Sequence, residues 1–483
     1  MKFIDKILNP FQKHFTKPTF HWFAITSLAL MTRPDTLGMT STIRTFSLEE
    51  KHYDSLEYFH KRAKFDLDAV NDTWYEIILN EAPVIKLSGL PVIIGDHTKK
   101  AKEARFMPGV KRHHQESDNS NVAEYIHGHA WGSAGLLIGN EYKQFSSPLS
   151  LRIHDGLKCL ANWEQDGNKR HEESMSVQMI SQIGDILEKT EAGAIVPLDG
   201  AFLTRPVLRK VNEINEKYPN KPMSIVTKLR IDGTAYTEAP PRFAGQRGAP
   251  RKKGETVKPY SLFETRLDEF QEKELILYGE KQRVRYFKID LLWGETLYQK
   301  LRFVLTIYED GRRLILVTNN LDLDAESIIK AYGYRFKIEC CFREMKQSIG
   351  AFEYHFWSKD MPKLNRFSKS DAPDPLASVL GDQARQNIVN TVQAIHTSAL
   401  CSSIATGILQ MISLKFDEID PQKVRYLRTY SNQHASESTT KEYVRSLIYS
   451  YLEYPQDEGI MRIIQSKQAP SSENFLDFLD EIA

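Results

Sequence analysis

Between residues 332 and 346 the chain sets a phenol, a guanidinium, a carboxylate and an ammonium at fixed intervals: Tyr332, Arg335, Glu339 and Lys346. At roughly 100° per residue, one helix would carry all four within about a 60° stripe. The row would run about 21 Å at a rise of ~1.5 Å per residue. That is too long for a small-molecule pocket and suits a polyphosphate backbone. Two further acids, Asp96 and Asp199, each close an apolar run that reads as a buried strand, Pro91-Val-Ile-Ile and Ala194–Leu198. Cutting a phosphodiester needs a nucleophile made at neutral pH and a stabilised leaving oxygen. Two divalent ions about 4 Å apart supply both, and carboxylates are the ligands hard Mg²⁺ prefers. Singly, a strand-terminal Asp is more often a turn or cap residue. It is the row that gives these acids weight.

The elements that must position them follow from periodicity. The segment Tyr332–Lys346 reads as one helix, with Asp324 as N-cap, Glu326 in the first turn and no Pro or Gly between Gly333 and Gly350. Ile338, Cys341, Phe342, Met345 and Ile349 form a core stripe beside the polar row. Residues 1–85 read as all-helical. From 86 to 230 the chain alternates strands with helices across Glu173–Glu191 and Thr204–Tyr218, which predicts a mixed α/β sheet. The run KKAKEARFMPGVKRHH within it reads as a basic loop. From 231 to 320 the pattern is β-rich, with a hairpin turn at Asp310-Gly311. Residues 321–365 carry the polar row, and 366–483 read as helical.

Between Tyr236 and Glu264 the composition shifts, and the stretch PPRFAGQRGAPRKKGETVKP holds Arg242, Arg247, Arg251, Lys252, Lys253 and Lys258 against the single acid Glu255. Gly and Pro exclude a long helix there, leaving a solvated loop or a phosphate-binding arm; the one-sided charge favours the arm. His113, His114, His127 and His129 match no zinc spacing and read as loop and strand residues. Asp322 and Asp324 rival Glu339 as third acid, but capping accounts for Asp324 and neither belongs to the row.

Lys+Arg 64 against Asp+Glu 63 leaves a formal charge of +1, so any nucleic-acid partner must be met by local patches. Cys159, Cys340, Cys341 and Cys401 contain no C-x-x-C pair, which argues against a zinc ribbon or disulfide scaffold and fits a reducing, intracellular compartment. PTFHWFAITSLALM, at 18–31, is too short to span a bilayer and reads as a buried helix. No membrane partner is expected.

The spacing Tyr332-x2-Arg335-x3-Glu339-x6-Lys346 resembles the YREK signature of the IS4-type DDE transposases of bacterial insertion sequences. With Asp96, Asp199 and Glu339 in triad order, the resemblance covers nearly the whole chain. It implies an RNase H-like catalytic core in two parts, 86–230 and 321–365, interrupted by the β-rich insertion at 231–320. Residues 1–85 would contact the element's end and 366–483 would be a helical region, possible site of dimerisation. The resemblance implies that Asp96, Asp199 and Glu339 bind two Mg²⁺ ions, with Mn²⁺ substituting. Tyr332, Arg335 and Lys346 would hold phosphates, and Arg251, Lys252 and Lys253 would contact DNA. A flipped base would stack on an insertion tryptophan, for which Trp293 is the candidate; a sheet-core aromatic is the competing reading. The implied partners are terminal inverted repeats, target DNA and a second copy of the chain, in the bacterial cytoplasm. A stand-alone RNase H-like nuclease and a domesticated DNA-binding protein that no longer cuts are the rival readings.

Overall fold

Aromatic and aliphatic residues at three-and-four spacing fold the first 85 residues into five helices: α1 (Lys2–Leu8), α2 (Lys17–Thr32), α3 (Met39–Thr45), α4 (His52–Lys61) and α5 (Leu67–Glu81). The last begins where the Asp66 carboxylate accepts from the backbone N–H groups of Asp68 and Ala69. Helix α2 contains the apolar 18–31 stretch and is buried along almost its whole length. A helix apolar all round must be surrounded by protein. The computed structural model describes residues 1–115, 123–157, 160, 163, 173–242, 248–365, 374–416, 435–454 and 459–469.

The core sheet starts with β1 (Ile93–Ala101), β2 (Lys111–His114), β3 (Tyr125–Gly139) and β4 (Gln144–Ile153). Strand β3 is the spine: it pairs antiparallel with β1 on one side and with β4 and β2 on the other. Helix α6 (Met175–Lys189) leads to β5 (Ala194–Pro197), and α7 (Arg205–Lys217) crosses over to β6 (Met223–Lys228). Strands β5 and β6 are parallel, Ala194 opposite Met223. A single parallel bridge, Val92 to Ile195, joins β1 to β5. The order β4-β3-β1-β5-β6, three antiparallel strands followed by two parallel ones, is that of an RNase H-like core.

The β-rich segment contributes β7 (Ala235–Tyr236), β8 (Thr256–Val257), β9 (Gln271–Leu277), β10 (Glu280–Trp293), β11 (Gln299–Tyr308) and β12 (Arg313–Thr318). It continues the core sheet, because β12 lies antiparallel to β6 with Leu316 opposite Lys228. The Asp310-Gly311 turn closes as read: Tyr308 N–H donates to Arg312 O and Gly311 takes φ +83°. The signature segment follows as α8 (Ala325–Tyr334) and α9 (Phe336–Glu344), and the C-terminal region as α10 (Asp382–Lys415), α11 (Glu437–Leu452) and α12 (Gly459–Gln465). Helix α10 is long and apolar enough to cross a bilayer, yet its apolar stretch is buried inside the protein. It packs on β4, α2, α4 and α5, while α11 and α12 also pack on α2. The two ends of the chain thus share one helical layer.

Three expectations change in detail. Asp96 lies inside β1, opposite Ser133, rather than at a strand end. The basic run after it is partly strand, since β1 continues to Ala101 and β2 takes Lys111–His114. The single helix over Tyr332–Lys346 is two segments meeting at Arg335, followed by a π-helical turn at Met345–Ile349.

Candidate functional site

The Val92–Ile195 bridge sets the start of β1 beside β5, and the chain leaves the sheet just past Pro197. Asp199 sits there, two residues past β5, heading the short turn Gly200–Phe202. The Thr227 hydroxyl from β6 donates to its backbone carbonyl at 2.8 Å. Side chains alternate along β1, so Ile94 and Asp96 share a face, and Ile94 is buried in the smaller apolar cluster with Ile328, Ile329 and Ile338 of α8 and α9. That alternation turns Asp96 toward the signature helix.

Arg335 occupies the middle of the site. Its Nη1 lies 2.8 Å from Glu339 Oε1 and 3.5 Å from Asp96 Oδ2. The other Asp96 oxygen accepts from the His97 backbone N–H at 2.7 Å. Burial pushes the Asp96 carboxyl up to about 6, and the charges of Asp199 and Glu339 push the same way, against the pull of His97 N–H and Arg335. Burial lowers Arg335, but Glu339, Tyr332, Asp199 and Asp96 outweigh it and leave the guanidinium raised. Tyr332 is pushed up to about 12, chiefly by burial, with Arg335 lowering it and Asp199 raising it. Tyr332, Arg335 and the acids Asp96, Asp199 and Glu339 therefore form one electrostatic group.

Lys346 stands one step further along. It lies in the π turn, so constant 100° spacing does not extend to it, and its Nζ donates to Lys99 O on β1 at 3.1 Å. Burial, and then Lys100, lower its pKa. The turn ends at Gly350, φ +69°, where Arg33 from the end of α2 donates to the carbonyls of Ile349 (2.6 Å) and Gly350 (3.0 Å). Lys441 from α11 donates to Ser348 O, and Lys102 to Phe352 O and Tyr354 O. Orphan carbonyls at a helix end need donors. Here they come from distant parts of the chain, and no local pattern announces them.

The remaining sequence candidates lie elsewhere. Trp293 ends β10 opposite Gln299 and packs partly buried against the main core, and the carbonyl of neighbouring Glu295 accepts from Arg205 Nη1 of α7 at 3.1 Å. Arg251 and Lys252 are exposed. Lys253 is less free, its ammonium lying 3.8 Å from the Tyr236 ring centroid and 5.3 Å from that of Tyr298. Arg247 lies outside the described residues. His129 is buried, bonded to Tyr354 Oη (2.6 Å) and Pro108 O (2.9 Å). Asp324 caps α8 by accepting from Ser327 N–H at 2.7 Å.

Sequence reasoning passed over His97. Its ring stacks on Phe202 of the Asp199 turn, centroids 5.7 Å apart and planes at 5°, and its Nε2 lies 3.0 Å from His154 Nδ1. It thus ties the strand of Asp96 to the turn of Asp199. Only the neighbouring Asp could have drawn attention to it.

Three mutually repelling carboxylates are hard oxygen donors, and that donor chemistry fits a divalent cation. As the side chains stand, no three ligating groups among the described residues converge on one point, and the Arg335 guanidinium lies between Asp96 and Glu339.

No family model and no curated protein matches the chain. Two solved structures resemble it. The piggyBac transposase synaptic complex with hairpin DNA is 10% identical, over 96% of this chain and 76% of that one, with a TM-score of 0.39. The NurA nuclease from Sulfolobus solfataricus is 12% identical, over 60% of this chain and 86% of that one, with a TM-score of 0.21. Neither likeness is strong enough to argue from.

Proposed function

We propose that the chain is a DDE transposase of the IS4-type YREK group, excising an insertion sequence by nick, hairpin and resolution and joining it to target DNA through its 3′-hydroxyl. The observation that carries this reading is the meeting of Asp96, Asp199 and Glu339 in electrostatic reach of one another around Arg335, on the helix that bears the signature. Asp96, Asp199 and Glu339 would hold Mg²⁺, which when bound lowers the pKa of an attacking water and neutralises the leaving oxygen. Arg335 bridges the Asp96 and Glu339 carboxylates in the free protein and would turn its planar fork to a phosphate when DNA enters. Tyr332 orients that phosphate, and Lys346, beyond the π turn, holds the next as a point charge. Arg251 and Lys252 reach backbone from the insertion, with Lys253 anchoring their loop on its tyrosines. Trp293 is the candidate for stacking an extruded base. Two copies bridging the element's ends would give one site per end.

The test is cleavage of a labelled duplex carrying the element's own end, with Mg²⁺ and with EDTA, on a denaturing gel. The expected result is a Mg²⁺-dependent nick that converts to a hairpin. Binding without cleavage would favour the domesticated DNA-binder, and cleavage without hairpin or strand transfer the stand-alone nuclease.

A further inference from the structure

Asp96 and Asp199 stand near each other with no sheet ladder between them. Among the described residues a single bridge, Val92 to Ile195, joins β1 to β5, and each acid lies four residues beyond it. Past that bridge the backbone groups pair elsewhere. Strand β1 pairs with β3, His97 opposite Gly132, while Leu198 N–H donates to Val226 O of β6 at 2.8 Å. Side chains must therefore set the distance between two carboxylates whose charges oppose each other.

His97 is placed to do this. Its backbone N–H donates to Asp96 Oδ1 at 2.7 Å, and its ring lies parallel to that of Phe202. Phe202 N–H in turn donates to Asp199 O at 3.0 Å, so the stacked ring belongs to the turn that carries the second acid. Behind His97 stands the buried His154, its Nδ1 3.0 Å from His97 Nε2 and the two ring planes at 68°. Gly132 makes room for it, because a Cβ there would overlap the His154 ring. His154 N–H donates to Ala130 O at 3.0 Å, which fixes this second ring to β3. Burial lowers both imidazoles, to about 4 for His97 and about 3 for His154. At neutral pH the pair is thus uncharged, and one ring N–H bridges the two nitrogens.

We propose that His97 is a positioning residue: locked by His154 and stacked on Phe202, it sets the spacing at which Asp96 and Asp199 grip one divalent cation. The inference rests on the cation-binding reading of the three acids. His97 acts through the carboxylates, as the groups around a metal's own ligands do when they fix ligand orientation.

The experiment is a Mn²⁺ titration of the full chain without DNA, with free Mn²⁺ read from its electron paramagnetic resonance signal. It is run on the wild type, Asp199→Asn, His97→Ala, His97→Phe and Phe202→Leu. The wild type should bind Mn²⁺ more tightly than Asp199→Asn, which assigns the binding to the acids. His97→Ala should weaken it about tenfold or more. His97→Phe, which keeps a ring to stack, should recover much of that loss. Phe202→Leu stays apolar but loses the ring, so it should resemble His97→Ala and carries the test if that variant fails to fold. Wild-type Mn²⁺ affinity in folded His97→Ala or Phe202→Leu would overturn the proposal and leave the acids' role standing, since a merely structural residue would lower Tm alone. Equal affinity in the wild type and Asp199→Asn would instead remove the cation site, and the proposal with it.

Discussion

Asp96 carries a proton affinity that its neighbours explain and its position in the sequence does not. Its folded pKa, about 6, lies above the ordinary 3.8 because of burial first and the other two acids second. Folding therefore favours the protonated form. The contribution to stability is fully present below about pH 4 and is lost as pH rises through about 6. Asp96→Asn should stabilise the metal-free protein by about 1–2 kcal/mol at pH 7.5, with the advantage gone at pH 4, measured by urea unfolding at the two pH values. The same variant should lose Mg²⁺-dependent nicking; an unchanged nick would remove Asp96 from the catalytic set. Arg335→Ala takes away the counter-charge shared by Asp96 and Glu339. It should cost about 1–3 kcal/mol at neutral pH, and Mg²⁺ should restore part of the loss. No restoration would argue against a cation site. The residue types and spacing of Tyr332, Arg335 and Glu339 were legible because one short stretch of chain sets them, and Asp96 and Asp199 because apolar runs precede them. The Arg335 bridge and the His97–Phe202 stack were not, since each joins residues far apart in sequence.

At the scale of elements, most of the helices and strands followed from periodicity, and the misreadings have physical causes. Ideal helical spacing over Tyr332–Lys346 ignores the tightening at Arg335 and the π turn at Met345–Ile349. Side chains packed on the helix from elsewhere decide those. Asp96 looked strand-terminal because Gly95-Asp96 resembles a turn, whereas pairing with β3 carries β1 on to Ala101. The π turn depends on Gly350, where a Cβ would meet positive φ and stand 2.6 Å from Arg33 Nη2. Gly350→Ala should destabilise by about 1–3 kcal/mol. Because Lys346 lies in that turn, the variant should also weaken DNA binding in a gel-shift titration, while a control at another positive-φ glycine, Gly311→Ala in the exposed hairpin turn, should change binding little.

For the whole molecule, the sequence separates the first 85 residues from the last hundred, yet α2 is enclosed by α10, α11 and α12. Composition could mark each as helical but not that they meet, because both are apolar and nothing local encodes the partner. Gly407 of α10 shows how close the meeting is: a Cβ there would stand 2.3 Å from the Trp74 ring of α5. Trp74 in turn donates to Pro148 O of β4 at 2.9 Å. Gly407→Val should therefore cost about 1–3 kcal/mol or more, seen as a lower urea midpoint, and should expose Trp74 to fluorescence quenching by iodide. The sheet that joins core and insertion has a further consequence at its far margin. It ends in the two-residue strands β7 and β8 and in β9, whose first four residues, Gln271, Glu272, Lys273 and Glu274, are exposed and polar. A rim so short and so charged is a poor template for another strand. At this margin, copies of the chain are thereby kept from fusing sheet to sheet.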